Sequence, residues 1–511
     1  MHLRRLEWVL ALLAVALPPG CGARSGLPGE ELVRCAVAAD CPATACETAE
    51  CVAGVCELTP LRCDDGDPCT DDRCEPDVGC IYRPRTDDAD GDGHRAPLAG
   101  FAPGEPGACG DDCDDRNALA HPGRTETCDG LDNDCNGVID DGARYGPSGE
   151  APVRISASAL RAYRGDLAAS KEGFVLTYAG LEADDTNLFR PVFVGLDVTG
   201  RTRFTTRVTE TNVSTFPGPL AWDGQAFASA WSDARMAGGY EIYFALFSAD
   251  GKKLGPDVRL TEAAGFSLNP AIVWNRSEYV VIWDDRRDEG ALGGEAPRLY
   301  AQRLGADGRL LGGNVLLSEE AGLEYPTLAQ GTRRLGLAHT VHGEPSRLGF
   351  RVLDARLAEA ARAEELLGAN VTALSLHALD DRFVLLWEEG NEAGPGNALY
   401  AAVFDEDARL VVPATTIASG ASFLRSHAAR SFGDRFIVVW ADDTHTDYEL
   451  FVQTFGPDLV ARGERARLTN EQGDSVNPAI ALGPEGTLGV LFEDFRTGTR
   501  HVYFLTLACT D

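Results

Sequence analysis

From residue 150 onward the chain repeats itself roughly every fifty residues, a period that belongs to stacked or radially arranged repeat folds. Short apolar segments end on Thr177, Trp231, Trp283, His339, Trp387, Trp440 and Phe492. A second strand-like segment follows each, near Phe193, Tyr243, Tyr300, Phe350, Tyr400, Phe451 and Tyr503. Turns such as Ala249-Asp250-Gly251 and Ala306-Asp307-Gly308 come next and read as hairpin connections. Further segments recur before (220–222, 271–274, 327–330, 479–482) and after (258–261, 315–318, 415–417, 466–469). Four short strands, seven times over, predict an all-β chain with a seven-bladed β-propeller at 150–511.

Ring closure adds a constraint. The last repeat reaches Asp511 with only three strands. Val153-Arg154-Ile155-Ser156 resembles Val258-Arg259-Leu260-Thr261 and would supply the fourth. An N-terminal strand in the last blade removes an exposed edge. Trp231, Trp283, Trp387 and Trp440 occupy equivalent places and are expected in blade cores. Acids follow them, in 232–235, 284–289, 388–392, 441–447 and 493–496. They either cap turns and pair with nearby arginines, or make a negative face for a cation or basic partner.

Residues before 150 have the opposite character. With Cys21 set aside, thirteen of the remaining fourteen cysteines lie between Cys35 and Cys135; the last is Cys509. The segment has few large apolar residues, so disulfides or metal must hold it. The block 35–80 contains nine cysteines and no histidine, which favours disulfides over zinc. Nine is odd, so one partner lies outside the block, and Cys509 is the expected one. Cys109, Cys113, Cys128 and Cys135 complete the set of bridging candidates.

The N-terminus reads as an address. Arg4 and Arg5 precede an apolar stretch, Trp8–Leu17, too short to span a bilayer. The following Leu17-Pro18-Pro19-Gly20-Cys21 resembles a bacterial lipobox, with Pro18 departing from its usual aliphatic. The expectation is a signal peptide at 1–20 and a lipidated Cys21 opening a linker to 34, with a membrane as partner through that anchor. Cleavage after Ala23 and secretion is the alternative. The expected order is then a cysteine-rich module at 35–81, a metal-binding module at 82–145 and the propeller.

Net charge is −33. That argues against nucleic acid as partner, since no basic patch remains to neutralise phosphate, and favours cations.

Two segments carry the sharpest chemistry. Asp88-Ala89-Asp90-Gly91-Asp92-Gly93 is DxDxDG. Asp132-Asn133-Asp134-Cys135-Asn136-Gly137-Val138-Ile139-Asp140 is DxDxNGxID. Alternate oxygen-bearing side chains turn inward around a cation, and the glycine makes the sharp bend. The second loop has Ala143 where an EF-hand places its closing glutamate. Asp140 or Asp141 must close it, or Asp114 or Asp115 from the CGDDCDD stretch at 109–115. The ligand set is therefore Asp88, Asp90, Asp92, Asp114, Asp115, Asp132, Asp134, Asn136, Asp140 and Asp141, with calcium as the metal.

These residues resemble the MopE-type metal-binding repeat of exported bacterial proteins, including those of myxobacteria, over 88–142. The resemblance rests on Asp112-Cys113-Asp114-Asp115, Pro122-Gly123, Glu126, Cys128-Asp129-Gly130 and Asp132-Asn133-Asp134-Cys135. It implies a metal, with copper as the alternative to calcium. Copper prefers imidazole or sulfur, whereas this region offers only His94 and His121, both expected at the surface, and its cysteines are expected oxidised.

Known catalytic signatures are absent: no GxSxG, no HExxH, no phosphate-binding glycine loop and no sialidase Asp-box. The expectation is a non-catalytic surface or periplasmic lipoprotein that binds calcium and presents its propeller to an unknown protein or glycan. A propeller hydrolase acting on glycans and a copper-handling surface protein are the alternatives.

Overall fold

The structure, a computed structural model, describes residues 33–510 except 130, 150, 158, 182–187, 237–238, 263–264, 288–295, 364–366, 391–396, 420–423 and 445–446. The expected signal segment and the lipidation site Cys21 lie outside the described residues. By contacts the chain divides into two units: Met1–Asp88 with Arg95–Gly110, and Ala89–His94 with Asp111–Asp511.

The described part of the first unit is two hairpins, Glu47–Val52 with Val55–Pro60 and Thr70–Glu75 with Gly79–Pro84. Its residues are nearly all exposed or half-buried, so the bridges act as the core. In each hairpin two cysteines face each other, Cys51 with Cys56 and Cys74 with Cys80. They do not bond across the ladder. Cys51 joins Cys35, Cys56 joins Cys41, Cys74 joins Cys46 and Cys80 joins Cys63. Each hairpin is thereby pinned to the preceding loops. The odd cysteine is Cys69, and it pairs with Cys109 rather than with Cys509.

The second unit contains the seven-bladed β-propeller. Its innermost strands are Arg161–Ser170, Leu220–Trp222, Ser267–Trp274, Leu323–Gln330, Val371–Leu379, Leu424–Phe432 and Ser475–Leu482. Each touches the innermost strand of the next blade, and the seventh touches the first, so the ring is closed. Strands then run outward in sequence order within the first six blades. Trp231, Trp283, Trp387 and Trp440 are fully buried on second strands, in the cores between blades.

The N-terminal strand closes the seventh blade as expected. Val153–Arg154 pairs with Phe504 and Tyr503. A second piece, Arg144–Pro147, extends the same edge along Leu507–Thr510. At the first–seventh junction Phe174 stacks obliquely on Phe504, with ring centroids 5.1 Å apart.

Six of the seven innermost strands carry a register irregularity, at Arg164/Leu167, Leu268/Ala271, Glu324/Thr327, Val371/Ala373, Leu424/His427 and Val476/Ala479. Asn269, Tyr325, Ser426 and Asn477 sit there with positive φ. Three of these precede a proline, which has no N–H to lose at an inner edge without a neighbour. The bulge frees backbone donors, and carboxylates of the preceding blade accept some of them. Asp284 accepts from Tyr325 N (3.3 Å), Glu388 from Ser426 N (3.1 Å) and Glu493 from Arg164 N (3.0 Å). Buried acids thus pin one blade to the next at three of the seven junctions.

Candidate metal centre

The Asp-rich loops fold by local side-chain-to-backbone hydrogen bonds, the usual behaviour of Asp and Asn in turns. In the second loop Asp132 accepts from Asn136 N (3.0 Å) and Gly137 N (2.8 Å). Asn136 Oδ1 accepts from Val138 N (2.8 Å). Gly137 has φ +92°, the left-handed bend that position 6 requires. Asp132 and Asp134 are brought together, and Glu126 joins them: the three offer carboxylate oxygens within 4.8 Å of one another.

Glu126 belongs to the motif but lies outside the expected ligand set. It is buried, and its oxygens accept from Asp134 N (2.7 Å) and Asp140 N (2.8 Å), which anchors both ends of the loop. Burial pushes its carboxyl above the usual range, with the charge of Asp134 adding to the effect.

Asp140, expected to close this loop, points elsewhere. It is buried and forms an ion pair with Arg435 of the sixth blade at 3.0 Å. Asp141 stays exposed and accepts from Asn136 Nδ2 (3.0 Å), so it remains beside the loop.

Asp112, outside the expected ligand set, is buried and feels the charges of Asp92 and Asp90 of the first loop. Along the five consecutive residues 88–92, Asp88, Asp90 and Asp92 also offer oxygens within 4.8 Å of one another. Burial raises the Asp112 carboxyl above its ordinary range, and the charges of Asp92, Asp90 and Asp115 push the same way. Asp115 supports the loop by accepting from Ala89 N (3.0 Å). Asp114 is exposed and serves the turn through its backbone.

One oxygen on each of Asp90, Asp92 and Asp112 is buried without a hydrogen-bond partner among the described residues. Buried, unsatisfied carboxylate oxygens, two of them in the Asp88/Asp90/Asp92 cluster, are costly unless a cation neutralises them. The donor set is therefore a fit for a metal ion, and its all-oxygen chemistry suits a hard one. Close cysteine groups exist too, but their members are bonded in disulfides and are not ligands.

The two nearby histidines are half-buried and stacked, with centroids 4.7 Å apart. His94 Nδ1 lies 3.0 Å from Asp111, whose hydrogen bond raises the imidazole above its ordinary range. Cys113–Cys135 closes the module on itself, and Cys128–Cys509 ties it to the last propeller strand.

The acids after the blade tryptophans form a repeating internal device. The indole N–H of Trp231, Trp283 and Trp440 donates to the aspartate two residues on, at 3.2, 2.7 and 3.0 Å; Trp387 donates to Glu389 at 2.8 Å. Arg235, Arg287 and Arg496 pair with Asp233, Asp285 and Asp494. Each guanidinium lies over the third-strand tyrosine of its own blade, Tyr243, Tyr300 or Tyr503, at 4.2, 4.2 and 4.6 Å from the ring centroid. Of the two roles weighed for these acids, capping and arginine pairing describes Asp233, Asp285 and Asp494.

Residues 112–141 match the family model Cu-binding_MopE, described as "Putative metal-binding motif". No curated protein matches the chain. Among solved structures it is similar to the β-propeller domain of the Trilobed protease from Pyrococcus furiosus, at 10% identity and TM-score 0.43, covering 69% of this chain and 98% of that one. It is similar to Pyrococcus horikoshii acylaminoacyl peptidase at 11% identity and TM-score 0.43, covering 70% of this chain and 54% of that one, so it spans about half the peptidase's length. Trypanosoma rangeli sialidase aligns at 9% identity and TM-score 0.41, covering 70% of this chain and 60% of that one. Nothing about activity follows from likenesses at this level. The chain carries a MopE-type metal-binding motif followed by a seven-bladed propeller, and its disulfides suit an exported protein.

Proposed function

We propose that this is a cell-envelope protein that binds calcium through its Asp-rich module and presents the propeller for recognition of a protein or glycan. The observation that carries the metal assignment is the set of orphaned, buried oxygens on Asp90, Asp92 and Asp112. Asp132, Asp134 and Glu126 form the second ligand cluster. Calcium fits better than copper because carboxylates converge here while the described cysteines are oxidised. The metal neutralises crowded acids and stiffens the module. In an extracellular setting a dissociation constant on the order of 10⁻⁴–10⁻³ M suffices. Lipidation at Cys21 would tether the chain to a membrane, and Cys21→Ser should release it to the soluble fraction.

The deciding experiment is calorimetric titration of Ca²⁺ into chelator-stripped, oxidised full-length protein. Saturable binding, weakened in Asp90→Asn and in Asp132→Asn, is expected. Absence of binding heat together with an unchanged melting temperature would overturn the calcium reading. Retention of copper through purification instead would favour the copper-handling alternative.

A further inference from the structure

Between the fifth and sixth blades lies a hydrogen-bonded chain that the metal module does not involve. Ser375 and His377 sit on the innermost strand of blade five, Val371–Leu379. Glu388 is on its second strand, Arg382–Glu389, and His427 on the innermost strand of blade six, Leu424–Phe432. Ser375 Oγ is 2.9 Å from His427 Nε2. His427 Nδ1 is 2.7 Å from Glu388 Oε1. His377 Nε2 is 3.0 Å from Ser375 Oγ.

The proton positions follow from these partners. Glu388 accepts from the Ser426 N–H through its other oxygen, so it is held in place as an acceptor. His427 must then carry its proton on Nδ1, which leaves Nε2 as an acceptor. Ser375 can donate only to that nitrogen. Its oxygen in turn accepts from His377 Nε2–H. Burial, with the charge of Arg430 acting the same way, keeps His377 neutral, with its pKa pushed down to about 3. The chain has one direction: His377 to Ser375 to His427 to Glu388.

We propose that Ser375 is a nucleophile, with His427 as its general base and Glu388 as the residue that positions the base, and that the propeller hydrolyses carboxylic esters through an acyl-serine. The nucleophile–base and base–carboxylate contacts are those acyl transfer needs. Three separate strands supply them, which is why no local sequence signature announces the site. The proposal goes beyond the metal-binding reading and departs from the expectation of a non-catalytic propeller.

In the forward step Ser375 Oγ forms a bond to the ester carbonyl carbon, and the carbonyl π pair moves to oxygen. The serine proton passes to His427 Nε2, and Glu388 stabilises the imidazolium. His377 Nε2–H donates to Oγ and holds it in position for the attack. Collapse of the adduct breaks the carbon–oxygen bond to the alcohol, which leaves with the proton from His427. Water then attacks the acyl-serine, giving its proton to His427 and returning it to Ser375 Oγ as the acid departs.

The test is labelling of the full-length protein with a fluorophosphonate probe, read by intact mass and peptide mapping, alongside p-nitrophenyl acetate hydrolysis. One label on Ser375 is expected. Labelling should vanish in Ser375→Ala. It should slow by about 10²-fold or more in His427→Gln. Glu388→Gln keeps an acceptor for Nδ1–H and should slow labelling while leaving the melting temperature near wild type. If Ser375→Ala does not fold, the wild-type peptide map decides alone. No label on folded wild type, a label on another serine, or an unchanged rate in folded His427→Gln would overturn the proposal and leave the chain as a pin between two blades.

Discussion

Cys128 and Cys509, 381 residues apart in sequence, are joined by a disulfide with their Cα atoms 5.6 Å apart. Cys509 lies opposite Tyr145 on the strand that the N-terminal segment completes, so the bridge sits where the ring is closed. Closure there rests on strand pairing plus one covalent bond. Removing the bond with Cys128→Ser/Cys509→Ser should lower propeller stability by about 2–5 kcal/mol, the usual loss for a native disulfide. Denaturant unfolding by tryptophan fluorescence measures this, because the blade tryptophans report directly on the ring.

The metal module should show linkage between ion and stability. Stripping with a chelator should lower the melting temperature, and added Ca²⁺ should restore it in a concentration-dependent way. Asp112→Asn should blunt that response although it keeps the side chain's size. Asp114→Asn should leave it nearly unchanged, since Asp114 is exposed and acts through its backbone. Differential scanning calorimetry with and without Ca²⁺ distinguishes the two variants.

The ion pair between Asp140 and Arg435 is buried on both sides. Arg435→Ala would strand a buried carboxylate, at a cost of about 3–5 kcal/mol. Gly463 makes the neighbouring contact. A Cβ there would fall 2.3 Å from Ala143 O, and its φ is +68°. Gly463→Ala should therefore also destabilise this junction. Protease cleavage within 111–143 should accelerate in both variants.

Asp284 gives a pH dependence with a definite sign. Burial, aided by the charge of Glu324, raises its pKa to about 6 from 3.8, against hydrogen bonds from Asn269 and Tyr325 that oppose the shift. A raised folded-state pKa means the folded protein holds this proton more tightly than the unfolded chain. Its contribution therefore favours folding below about pH 4 and is lost as pH rises toward about 6, by at most about 3 kcal/mol. Asp284→Asn still accepts through its amide oxygen. It should flatten the stability curve over that window and equal or exceed wild type at pH 7, as urea unfolding at successive pH values would show.

Much of the architecture was legible beforehand because β-repeat signals are local. A bulky residue at the end of a buried second strand, a turn and a further aromatic recur wherever a blade recurs. Trp283 and Phe492 reveal equivalent positions without any long-range information. The same holds for Val153-Arg154, whose likeness to Val258-Arg259 pointed to the closing strand. The DxDxDG and DxDxNG spacings likewise determine which oxygens a single tight turn can gather.

What residues distant in sequence do was decided by the tertiary structure. Cysteine counting required a partner outside 35–80, but only the folded loops bring Cys69 to Cys109 and leave Cys128 for Cys509. Glu126 joins Asp132 and Asp134 because the chain before the loop folds back on it, while Arg435 of the sixth blade takes Asp140. Ser375, His427 and Glu388 meet because a closed ring places the inner strands of blades five and six side by side. Local periodicity encodes strands and turns; pairings across blades depend on the geometry of ring closure, which no short stretch of sequence contains.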